Sequence, residues 1–528
     1  MTVFLVLLAM TVFLVLLAMT VFLALFAMMG GLHRMPRKHV IVVGAGIGGL
    51  SAALDLSARG VRVTVLEQHG HPGGKMRQIE INGRGIDSGP TVFTMRWIFD
   101  DLFSEIGLDF DAHVPLREAD LLARHGWGDG SQLDLFADVQ RSVEAIGAFS
   151  GGEDAQAYRN FARDSAKIFK TLDLSFMRAQ RPSPPELAAR VGLKGIPDLL
   201  ATRPFVTLFD DLRKRFRDPR LVQLFARYST YCGSSPFRAP ATLQLIAHAE
   251  RAGVWYVEGG MIRLARALAD AAMENGVAIR YLEPVTRLLT YDGRITGVQL
   301  ANGEPLMGDA VVFNGDMAAL AEGLLGEDAQ RAVPKLPRDR RSLSAITWSM
   351  LARVSGFPLA HHTVLFGDDY REEFDAIFEQ QRISDSPTVY ICAQDRQDDA
   401  APEDSGPERL LALINAPARA LSESDIARAE DNMLNVLARQ GLVLEHAPTE
   451  CARTTPSDFA GLFPATDGSL YGRPTHGWMG SFSRPGSRTR LEGLYLSGGS
   501  VHPGAGVPMV AMSGRLAAAC VRADLGLG

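Results

Sequence analysis

Cysteine is scarce in this 528-residue chain, which contains four cysteines with no close or regular spacing between them. Disulfide-stabilised domains and zinc sites depend on such spacing, so neither is indicated. We predict no metal site, and we expect a reducing, cytoplasmic location. The four residues are Cys232, Cys392, Cys451 and Cys520.

An excess of positive charge is also absent, since 60 acidic residues outnumber 54 lysines and arginines and the net charge is −6. Nucleic-acid binding needs a concentrated basic face, so we exclude nucleic acid as a partner. The 52 glycines and 28 prolines are spread along the chain, which excludes a collagen-like or low-complexity protein. The chain is 47% hydrophobic and long enough for two or three domains.

One long apolar run is present, at the N-terminus. MTVFLVLLA occurs twice in tandem and a third time as MTVFLALFA, over residues 1–27. A run of this length can cross a bilayer, and the basic residues after it would keep the remaining chain in the cytoplasm. The repeat equally fits a duplication upstream of an alternative start at Met35. Residues 1–34 are therefore either an anchor or a mis-assigned start, and a cleaved signal peptide is disfavoured because no basic region precedes the run.

The strongest local motif is HVIVVGAGIGGLSAALDLSARGVRVTVLEQ, residues 39–68. Its pattern predicts a strand, a glycine-rich turn, a helix and a second strand. Gly44 permits the tight turn, Gly46 lets the backbone approach a pyrophosphate, and Gly49 allows close packing of helix on strand. Glu67 ends the second strand, where it can accept hydrogen bonds from a ribose 2′-hydroxyl. This fingerprint predicts an α/β domain that binds FAD or NAD rather than NADP.

A second glycine-rich stretch, HPGGKMRQIEINGRGIDSGPTVF, follows at residues 71–93. It resembles the corresponding stretch of FAD-dependent amine oxidases and carotenoid desaturases, and the resemblance favours FAD over NAD. The alternative is a pair of surface turns. The resemblance implies contacts along the dinucleotide and at the isoalloxazine from Gly74, Lys75, Arg77, Gly89, Pro90 and Thr91.

The C-terminal stretch LSGGSVHPGAGVPMVAMSGRLAAA, residues 496–519, predicts a strand, a glycine-rich loop and a helix. A helix N-terminus attracts negative charge, so it suits the pyrophosphate and a reduced flavin. We expect Gly499, Gly504, Gly506 and Val507 at this second half of the flavin site. In FAD proteins of this kind a backbone segment contacts the adenine, and the resemblance carries this role to Val285.

The rest of the chain divides by pattern. Residues 111–254 are mostly helical, and residues 331–455 form a second, irregular region. Between them, short strands return, and the one near residues 309–316 is expected to join the cofactor sheet. We predict a Rossmann-like FAD-binding domain assembled from residues 35–110, 255–330 and 456–528, with an α+β substrate domain from residues 111–254 and 331–455.

These motifs, in this order from Met35 onward, resemble the bacterial phytoene desaturase family of FAD-dependent enzymes. Residues 467–489, DGSLYGRPTHGWMGSFSRPGSRT, are most similar to the branch of hydroxyneurosporene and methoxyneurosporene dehydrogenases. That branch introduces a C3–C4 double bond into acyclic carotenoids with a hydroxyl or methoxy group at C1. Phytoene desaturases carry a Trp-Phe-Arg-Pro run where this chain has residues 476–482. The resemblance thus implies an oxidoreductase of carotenoid biosynthesis, with FAD as cofactor.

Such a reaction depends mainly on placement of an allylic carbon against the flavin in an apolar tunnel, so few polar side chains need a chemical role. His502 and His476 are the candidates to accept the substrate proton or to position its hydroxyl group. The alternative for both is a structural role in loops. Four further residues are weaker candidates, for proton transfer or phosphate binding: Asp87, Glu258, Arg484 and Arg488.

The expected partners are an acyclic carotenoid, a lipid surface, and an electron acceptor that is oxygen or a quinone. Residues 193–218 mix aromatic and aliphatic side chains with a basic end, and they form either a helix pair of the substrate domain or an element at the membrane interface. We expect a peripheral protein on the inner membrane. Three other functions fit parts of the pattern: a phytoene desaturase, a flavin amine or protoporphyrinogen oxidase, and an isoprenoid-binding protein similar to GDP-dissociation inhibitors.

Overall fold

The computed structural model describes Met19, residues 38–402 and residues 406–527. Apart from Met19, the apolar repeat with its predicted anchor or mis-assigned start lies outside the described residues. Residues 1–38 and 39–528 are two separate units, and the second contains all the elements below. No helix in the described part of the chain is long and apolar enough to cross a membrane.

A five-stranded parallel sheet, the cofactor sheet, forms the centre of the FAD-binding half. Its strands come from distant parts of the chain, in the spatial order Ala278–Arg280, Arg62–Leu66, His39–Val43, Ala310–Phe313 and Leu494–Leu496. The central strand buries Val40, Ile41 and Val42 completely, as expected for a parallel sheet covered on both faces. The predicted α/β fold, with a cofactor sheet built from discontinuous segments, is confirmed.

Helices cover one face of the cofactor sheet. They are Ile47–Ser57 (the first helix), Ile262–Glu274 and Val507–Leu525 (the last helix). The first and last helices cross at two glycines, because a Cβ at Gly514 would clash with the carbonyl oxygen of Gly48. The other face is covered by an antiparallel sheet and two short helices: Val285–Tyr291, Arg294–Leu300, Pro305–Met307, Met317–Ala321 and Glu327–Ala332.

An eight-stranded sheet, the large sheet, belongs to the other half of the molecule. The helix Glu423–Arg439 packs on one face, and helices from residues 139–226 pack on the other. The pairing between His362–Leu365 and Leu121–Gly126 is parallel, and the other pairs are antiparallel. The spatial order is Leu442–Glu445, Ser344–Gly356, Glu408–Ala416, Val389–Ala393, His362–Leu365, Leu121–Gly126 and Gln132–Phe136, and Cys451–Thr454 also pairs with Ser344–Gly356.

Residues 331–455 form regular strands and helices, so the prediction of an irregular region there is wrong. They supply six of the eight strands of the large sheet. The first nine residues of Ser344–Gly356 are all buried, so this strand lacks the alternation that reveals a half-exposed strand. The strands Leu121–Gly126 and Gln132–Phe136 interrupt the stretch predicted as mostly helical. The alternation of polar and apolar residues in Gln132–Phe136 is the sequence signal for the second of these strands.

Two small sheets and the other helices complete the fold. The two-stranded sheet of Gln78–Ile81 and Arg84–Asp87 is joined to the large-sheet half by Gln394, which bonds the Asp87 backbone on both sides at 3.0 and 2.8 Å. Another small sheet places Val254–Val257 between Phe93–Thr94 and Leu116–Glu118. The other helices are Trp97–Ser104, Phe110–His113, Val139–Ser150, Gly152–Leu172, Pro184–Ala201, Leu208–Arg215, Pro219–Ala226, Leu245–Arg251, Tyr370–Phe378 and Pro456–Leu462, with a π-helical turn at Asp173–Met177.

Candidate active site

A cavity of about 590 Å³, the cofactor cavity, lies at the carboxyl ends of the strands of the cofactor sheet. Val43, Leu66 and Phe313, each the last residue of its strand, line it. Open α/β sheets bind their ligands at this edge. Most of the predicted cofactor residues line the same cavity: Gly44, Gly46, Glu67, Gly74, Lys75, Gly89, Pro90, Val285, Gly499, Gly506 and Val507.

The fingerprint turn has the geometry that a pyrophosphate requires. Gly44 has a φ of 101°, in the left-handed region that glycine tolerates. A Cβ at Gly46 would lie 2.8 Å from Asn314 Nδ2, and a Cβ at Gly49 would clash with the carbonyl oxygen of Gly44. The three glycines therefore leave space that side chains would fill, and this geometry fits the roles predicted for them.

Two helices begin at the cofactor cavity without a side-chain cap. The first helix starts after Gly46, and the last helix starts after Gly506, which has a φ of 109°. Free N–H groups and the helix dipole favour an anion at each start. Val507 and Val510 extend the lining along the last helix. A dinucleotide phosphate fits a cavity that two helix N-termini face.

Glu67 is 5% exposed and is held by the backbone. Its Oε2 accepts a hydrogen bond from the Ala45 N–H at 2.7 Å, and its Oε1 accepts one from the His69 N–H at 2.9 Å. An ionised carboxylate has about four acceptor positions, so both oxygens can still accept bonds from ribose hydroxyls. The arrangement fits the unphosphorylated ribose expected from the sequence.

Lys75 brings a half-buried, positively charged side chain to the cofactor cavity. Its Nζ donates a hydrogen bond to the Leu470 carbonyl, and burial lowers the pKa of the ammonium, against the attraction of Asp316. No carboxylate of the described residues lies within 4.0 Å of it. A cation without an ion-pair partner suits a ligand that carries negative charge, which FAD does in its phosphates and in its reduced ring.

Four predicted cofactor residues lie outside the lining of the cofactor cavity. One is Gly49, which lies close to the carbonyl oxygen of Gly44 in the fingerprint turn. Thr91 and Gly504 line the neighbouring cavity described below. Arg77 Nη2 donates to the Thr454 hydroxyl at 2.9 Å, and its guanidinium lies 5.7 Å from the centre of the Phe459 ring. Arg77 thus contacts the large sheet, and its contact with the dinucleotide stays a prediction.

Asn314 is a cofactor-cavity residue that sequence analysis missed. Its Nδ2 donates to the Gly44 carbonyl at 3.4 Å, and its Oδ1 accepts from the Ser497 hydroxyl at 3.1 Å. These bonds connect three strands of the cofactor sheet at the edge where Glu67 lies. The available signal was the polar run Asn-Gly-Asp directly after the buried strand Ala310–Phe313.

A second cavity of about 510 Å³, the apolar cavity, adjoins the first. The two cavities have a shared wall of residues that line both: Gly89, Pro90, Leu413, Tyr471, Ala505, Gly506 and Val507. Helices supply most of the remaining lining, with the apolar side chains Phe169, Leu172, Phe176, Met177, Leu187, Leu199, Leu245 and Ile246. Gly89 and Pro90 line both cavities, and they are the residues predicted at the isoalloxazine. The prediction therefore places the reactive end of the cofactor beside the apolar cavity.

The apolar cavity reaches the protein surface at an apolar rim formed by Leu200, Phe205 and Trp478. These three lining residues are 62%, 70% and 45% exposed. The rings of Phe205 and Trp478 lie 5.6 Å apart. Large apolar side chains grouped on a surface mark a contact site for an apolar partner.

Neither predicted catalytic histidine lines either cavity. His502 Nε2 lies 3.0 Å from the carbonyl oxygens of both Phe176 and Ala179, so it carries the ring proton, and burial lowers the pKa of the ring to about 4. His476 Nε2 accepts from the Ser235 N–H at 2.9 Å, and burial lowers its pKa to about 3. Both rings are neutral and hold loops together, and their catalytic role stays a prediction.

The four weaker candidates also have protein partners or exposed positions. The buried Asp87 carboxylate accepts from the Met261 N–H and from the Gln78 amide, and Glu258 is exposed. Arg484 is 2% exposed and donates to three carbonyls, including that of Gly499 at 2.8 Å. Arg488 pairs with Asp524 at 2.7 Å on the surface. Arg484 therefore holds the glycine loop of the flavin site, and it also lines the neighbouring apolar cavity.

The sequence predicts no metal site. In the described part of the chain, His361, His362 and Cys392 do come together, with ligand atoms within 4.8 Å of one another. His361 Nδ1 bonds to the Arg396 carbonyl and His362 Nδ1 to the Tyr390 hydroxyl, each at 2.8 Å. These bonds account for the orientation of both rings, and the absence of a metal stays a prediction.

Comparison with known proteins identifies the family. The model of the flavin-containing amine oxidoreductases matches residues 47–522. The chain belongs to this family. It is therefore a flavin oxidoreductase, and the dinucleotide fingerprint with Glu67 makes its flavin FAD, as the sequence predicts.

Relatives within this family are carotenoid enzymes by name. Hydroxyneurosporene desaturase of Rubrivivax gelatinosus is 50% identical over 491 residues, which is 92% of this chain and 93% of that protein. The enzyme of the same name from Cereibacter sphaeroides is 48% identical over 92% of this chain and 98% of its own. 4,4′-Diapolycopene oxygenase of Methylomonas sp. is 33% identical over 92% of this chain and 99% of its own. The predicted family resemblance is confirmed.

Solved structures share the fold at low identity. Putrescine oxidase bound to putrescine is 15% identical, with a TM-score of 0.58 over 93% of this chain and 99% of that one. An oxidoreductase from Methanosarcina mazei is 18% identical, with a TM-score of 0.55 over 90% of this chain and 98% of that one. These similarities establish the fold of FAD-dependent oxidases over at least 90% of this chain, and they do not identify the substrate.

Proposed function

We propose that the protein is an FAD-dependent carotenoid desaturase. It introduces a C3–C4 double bond into acyclic carotenoids that carry a hydroxyl or methoxy group at C1. The observation that carries the proposal is the apolar cavity beside the cofactor cavity, because a long hydrocarbon with one reacting end fits such a pair. The relatives named hydroxyneurosporene desaturase support the same substrate class.

FAD, when bound, supplies the oxidant that removes two hydrogens from a carbon–carbon single bond. Within the shared wall, Gly89, Pro90 and Leu413 limit how a hydrocarbon in the apolar cavity approaches the cofactor. Correct placement of the reacting carbon can lower the activation barrier by up to about 7–11 kcal/mol. The apolar lining also keeps water from the reacting carbons. Placement and exclusion of water are thus the main contributions of these side chains.

We also infer that the protein lies on a lipid surface with the apolar rim facing the bilayer. A carotenoid dissolves in the lipid, and the rim is the mouth of the cavity that would receive it. Leu193 is 92% exposed on the helix that carries Leu200, next to the exposed Lys194, so apolar and basic groups meet there. Within residues 193–218 only this first part fits an interface, because Leu208 and Leu212 are fully buried.

An amine oxidase is the less suitable activity for this site. The aromatic side chain in the shared wall is Tyr471, whereas Trp478 lies at the exposed rim. An aromatic cage at the flavin would need at least two such rings. An isoprenoid-binding protein without flavin is disfavoured by the family and by the geometry around Gly46 and Glu67.

The experiment is turnover by the full chain with FAD in lipid micelles, using 1-hydroxyneurosporene, phytoene and simple amines in parallel. Chromatography with absorption spectra follows the carotenoids, and peroxide release follows the amines. We expect a longer chromophore from 1-hydroxyneurosporene and none from phytoene. Conversion of phytoene instead would establish an earlier desaturase, and peroxide from amines would establish an amine oxidase.

A further inference from the structure

A cluster of polar side chains lines part of the apolar cavity. It consists of Arg227, Tyr231 and Glu250, which we call the polar cluster. Most of the lining around it is apolar. Buried polar groups cost free energy unless they are satisfied, so a charged cluster in such a cavity needs an explanation.

The cluster is held from the protein side. Glu250 accepts hydrogen bonds from the Tyr228 hydroxyl at 2.8 Å and from the Tyr231 hydroxyl. The guanidinium carbon of Arg227 lies 5.5 Å from the ring centre of Tyr231 and 5.4 Å from that of Tyr390. No carboxylate of the described residues lies within 4.0 Å of Arg227. Two aromatic rings thus fix the guanidinium, and its donors are not used by an ion pair.

The cluster lies next to the shared wall. The hydroxyl of Tyr390 is 2.7 Å from Thr91 Oγ1, and Thr91 directly follows Gly89 and Pro90 of that wall. A series of contacts from Pro90 through Thr91 and Tyr390 therefore connects the expected isoalloxazine to the guanidinium of Arg227. These contacts connect the polar cluster to the end of the cavity where the isoalloxazine is expected.

Substrate chemistry requires a polar contact at that end. In the proposed substrate the oxygen on C1 is three bonds from C3, about 4 Å along an extended chain. A group that binds this oxygen must therefore lie close to the flavin while the rest of the hydrocarbon extends away. A hydroxyl and a methoxy oxygen both accept hydrogen bonds, whereas a methoxy group cannot donate one. A side chain that serves both end groups must be a donor, and a guanidinium is a donor only.

We propose that Arg227 binds the C1 oxygen of the carotenoid and thereby selects oxygenated end groups, with Tyr231 and Glu250 as positioning residues. The inference rests on the proposed function and names the recognition element within that site. Tyr231 and Glu250 attract the guanidinium from the protein, and a hydrocarbon end group offers it no further acceptor in the cavity. We expect that mismatch to reduce kcat/KM by about 10- to 100-fold relative to an oxygenated substrate.

The test is Arg227→Met in the full chain with FAD, which keeps the length of the side chain and removes its donors. We measure kcat/KM for 1-hydroxyneurosporene, 1-methoxyneurosporene and neurosporene, which lacks the oxygen. The expected result is a loss of about 10- to 100-fold for both oxygenated substrates and little change for neurosporene, so the preference disappears. An equal loss for all three substrates, or an unchanged preference, would overturn the proposal.

Two tyrosines provide a matched pair that stays informative if Arg227→Met does not retain FAD. Tyr231→Phe and Tyr228→Phe each remove one hydrogen bond to Glu250, but only Tyr231 lines the apolar cavity. We expect Tyr231→Phe to weaken the preference for oxygenated substrates and Tyr228→Phe to keep it. Equal effects of the two variants would contradict the proposal. A wild-type chain that desaturates no carotenoid would instead refute the proposed function itself.

Discussion

At the residue scale, Glu67 shows how the backbone prepares a ligand site. Its carboxylate is fixed by the amides of Ala45 and His69 and still has acceptor positions for ribose. Gln has the same shape and no charge, so each hydrogen bond to it is weaker. We expect Glu67→Gln to raise the Kd for FAD by about tenfold, measured by titrating FAD into apoprotein.

The exposed Glu80 offers a control for this measurement, because it lies on the strand Gln78–Ile81 and faces solvent. Glu80→Gln removes the same charge from the chain without touching the cofactor cavity. We expect its Kd for FAD to equal that of the wild type. Equal affinities for all three proteins would mean that Glu67 does not contact the ribose.

His502 predicts a pH dependence. Burial lowers its pKa to about 4, and Arg181 and Arg190 act in the same direction, against two backbone hydrogen bonds. Below pH about 6.5 the unfolded chain binds a proton at this ring and the folded chain does not, so stability falls as pH drops from about 6.5 toward 4. Between pH 6.5 and 5.5 the free energy of unfolding should fall by about 1 kcal/mol less in His502→Gln than in the wild type, measured by thermal unfolding.

The same His502→Gln protein separates structure from catalysis. If it retains FAD and turns over 1-hydroxyneurosporene at wild-type rate at pH 7.5, the side chain has no role in the chemical step. Parallel stability curves for the two proteins would contradict the burial account. A large loss of turnover with intact FAD content would instead support the catalytic role predicted from the sequence.

At the element scale, the strand–turn–helix unit of residues 39–68 was predictable because each part has a local signal. Glycines, β-branched residues and a terminal acid occur within thirty residues. Ser344–Gly356 had no such signal, since a strand buried on both faces does not alternate. The surroundings of the polar cluster could not be predicted, because Arg227 contacts Tyr390, and Tyr390 contacts Thr91, only through the packing of distant elements.

The crossing of the first and last helices gives a test at this scale. Any Cβ at Gly514 meets the carbonyl of Gly48, so Gly514→Ala must push apart two helices that both begin at the cofactor cavity. We expect destabilisation of about 1–3 kcal/mol and a lower FAD content. Calorimetry and the flavin absorbance of the purified protein measure both.

Gly461→Ala is the matched control for Gly514→Ala. Gly461 lies in the helix Pro456–Leu462, and a Cβ there meets nothing within 4 Å. Alanine is the better helix former by about 1 kcal/mol, so this variant should be as stable as the wild type or more so. If Gly514→Ala behaved like Gly461→Ala, the close approach of the two helices would not matter for the site.

The apolar rim predicts lipid binding that a single charge should weaken. Phe205 is 70% exposed beside the cavity mouth, and a glutamate there would enter an anionic interface. We expect Phe205→Glu to reduce co-sedimentation with phosphatidylglycerol vesicles by about tenfold or more. Leu434→Glu is the control, because Leu434 is 45% exposed and lines neither cavity. Equal binding by both variants would contradict a rim that faces the bilayer.

At the scale of the whole molecule, the site exists only where the two halves meet. The shared wall combines Gly89 and Pro90 with Leu413 of the large sheet and with the start of the last helix. Each segment was assigned to a half from its sequence, but the boundaries of the two predicted domains stay predictions. Local patterns identify elements, whereas the pairing of two cavities depends on contacts between residues hundreds of positions apart.

The position of the new double bond can be measured from the fate of deuterium placed at C3 and C4 of 1-hydroxyneurosporene. The full chain with FAD converts the labelled substrate in lipid micelles, and mass spectrometry follows the product. A C3–C4 desaturase forms a product that has lost two deuterium atoms, one from each labelled carbon, and this is the result we expect. A desaturated product that keeps the whole label would place the new double bond elsewhere and contradict the account.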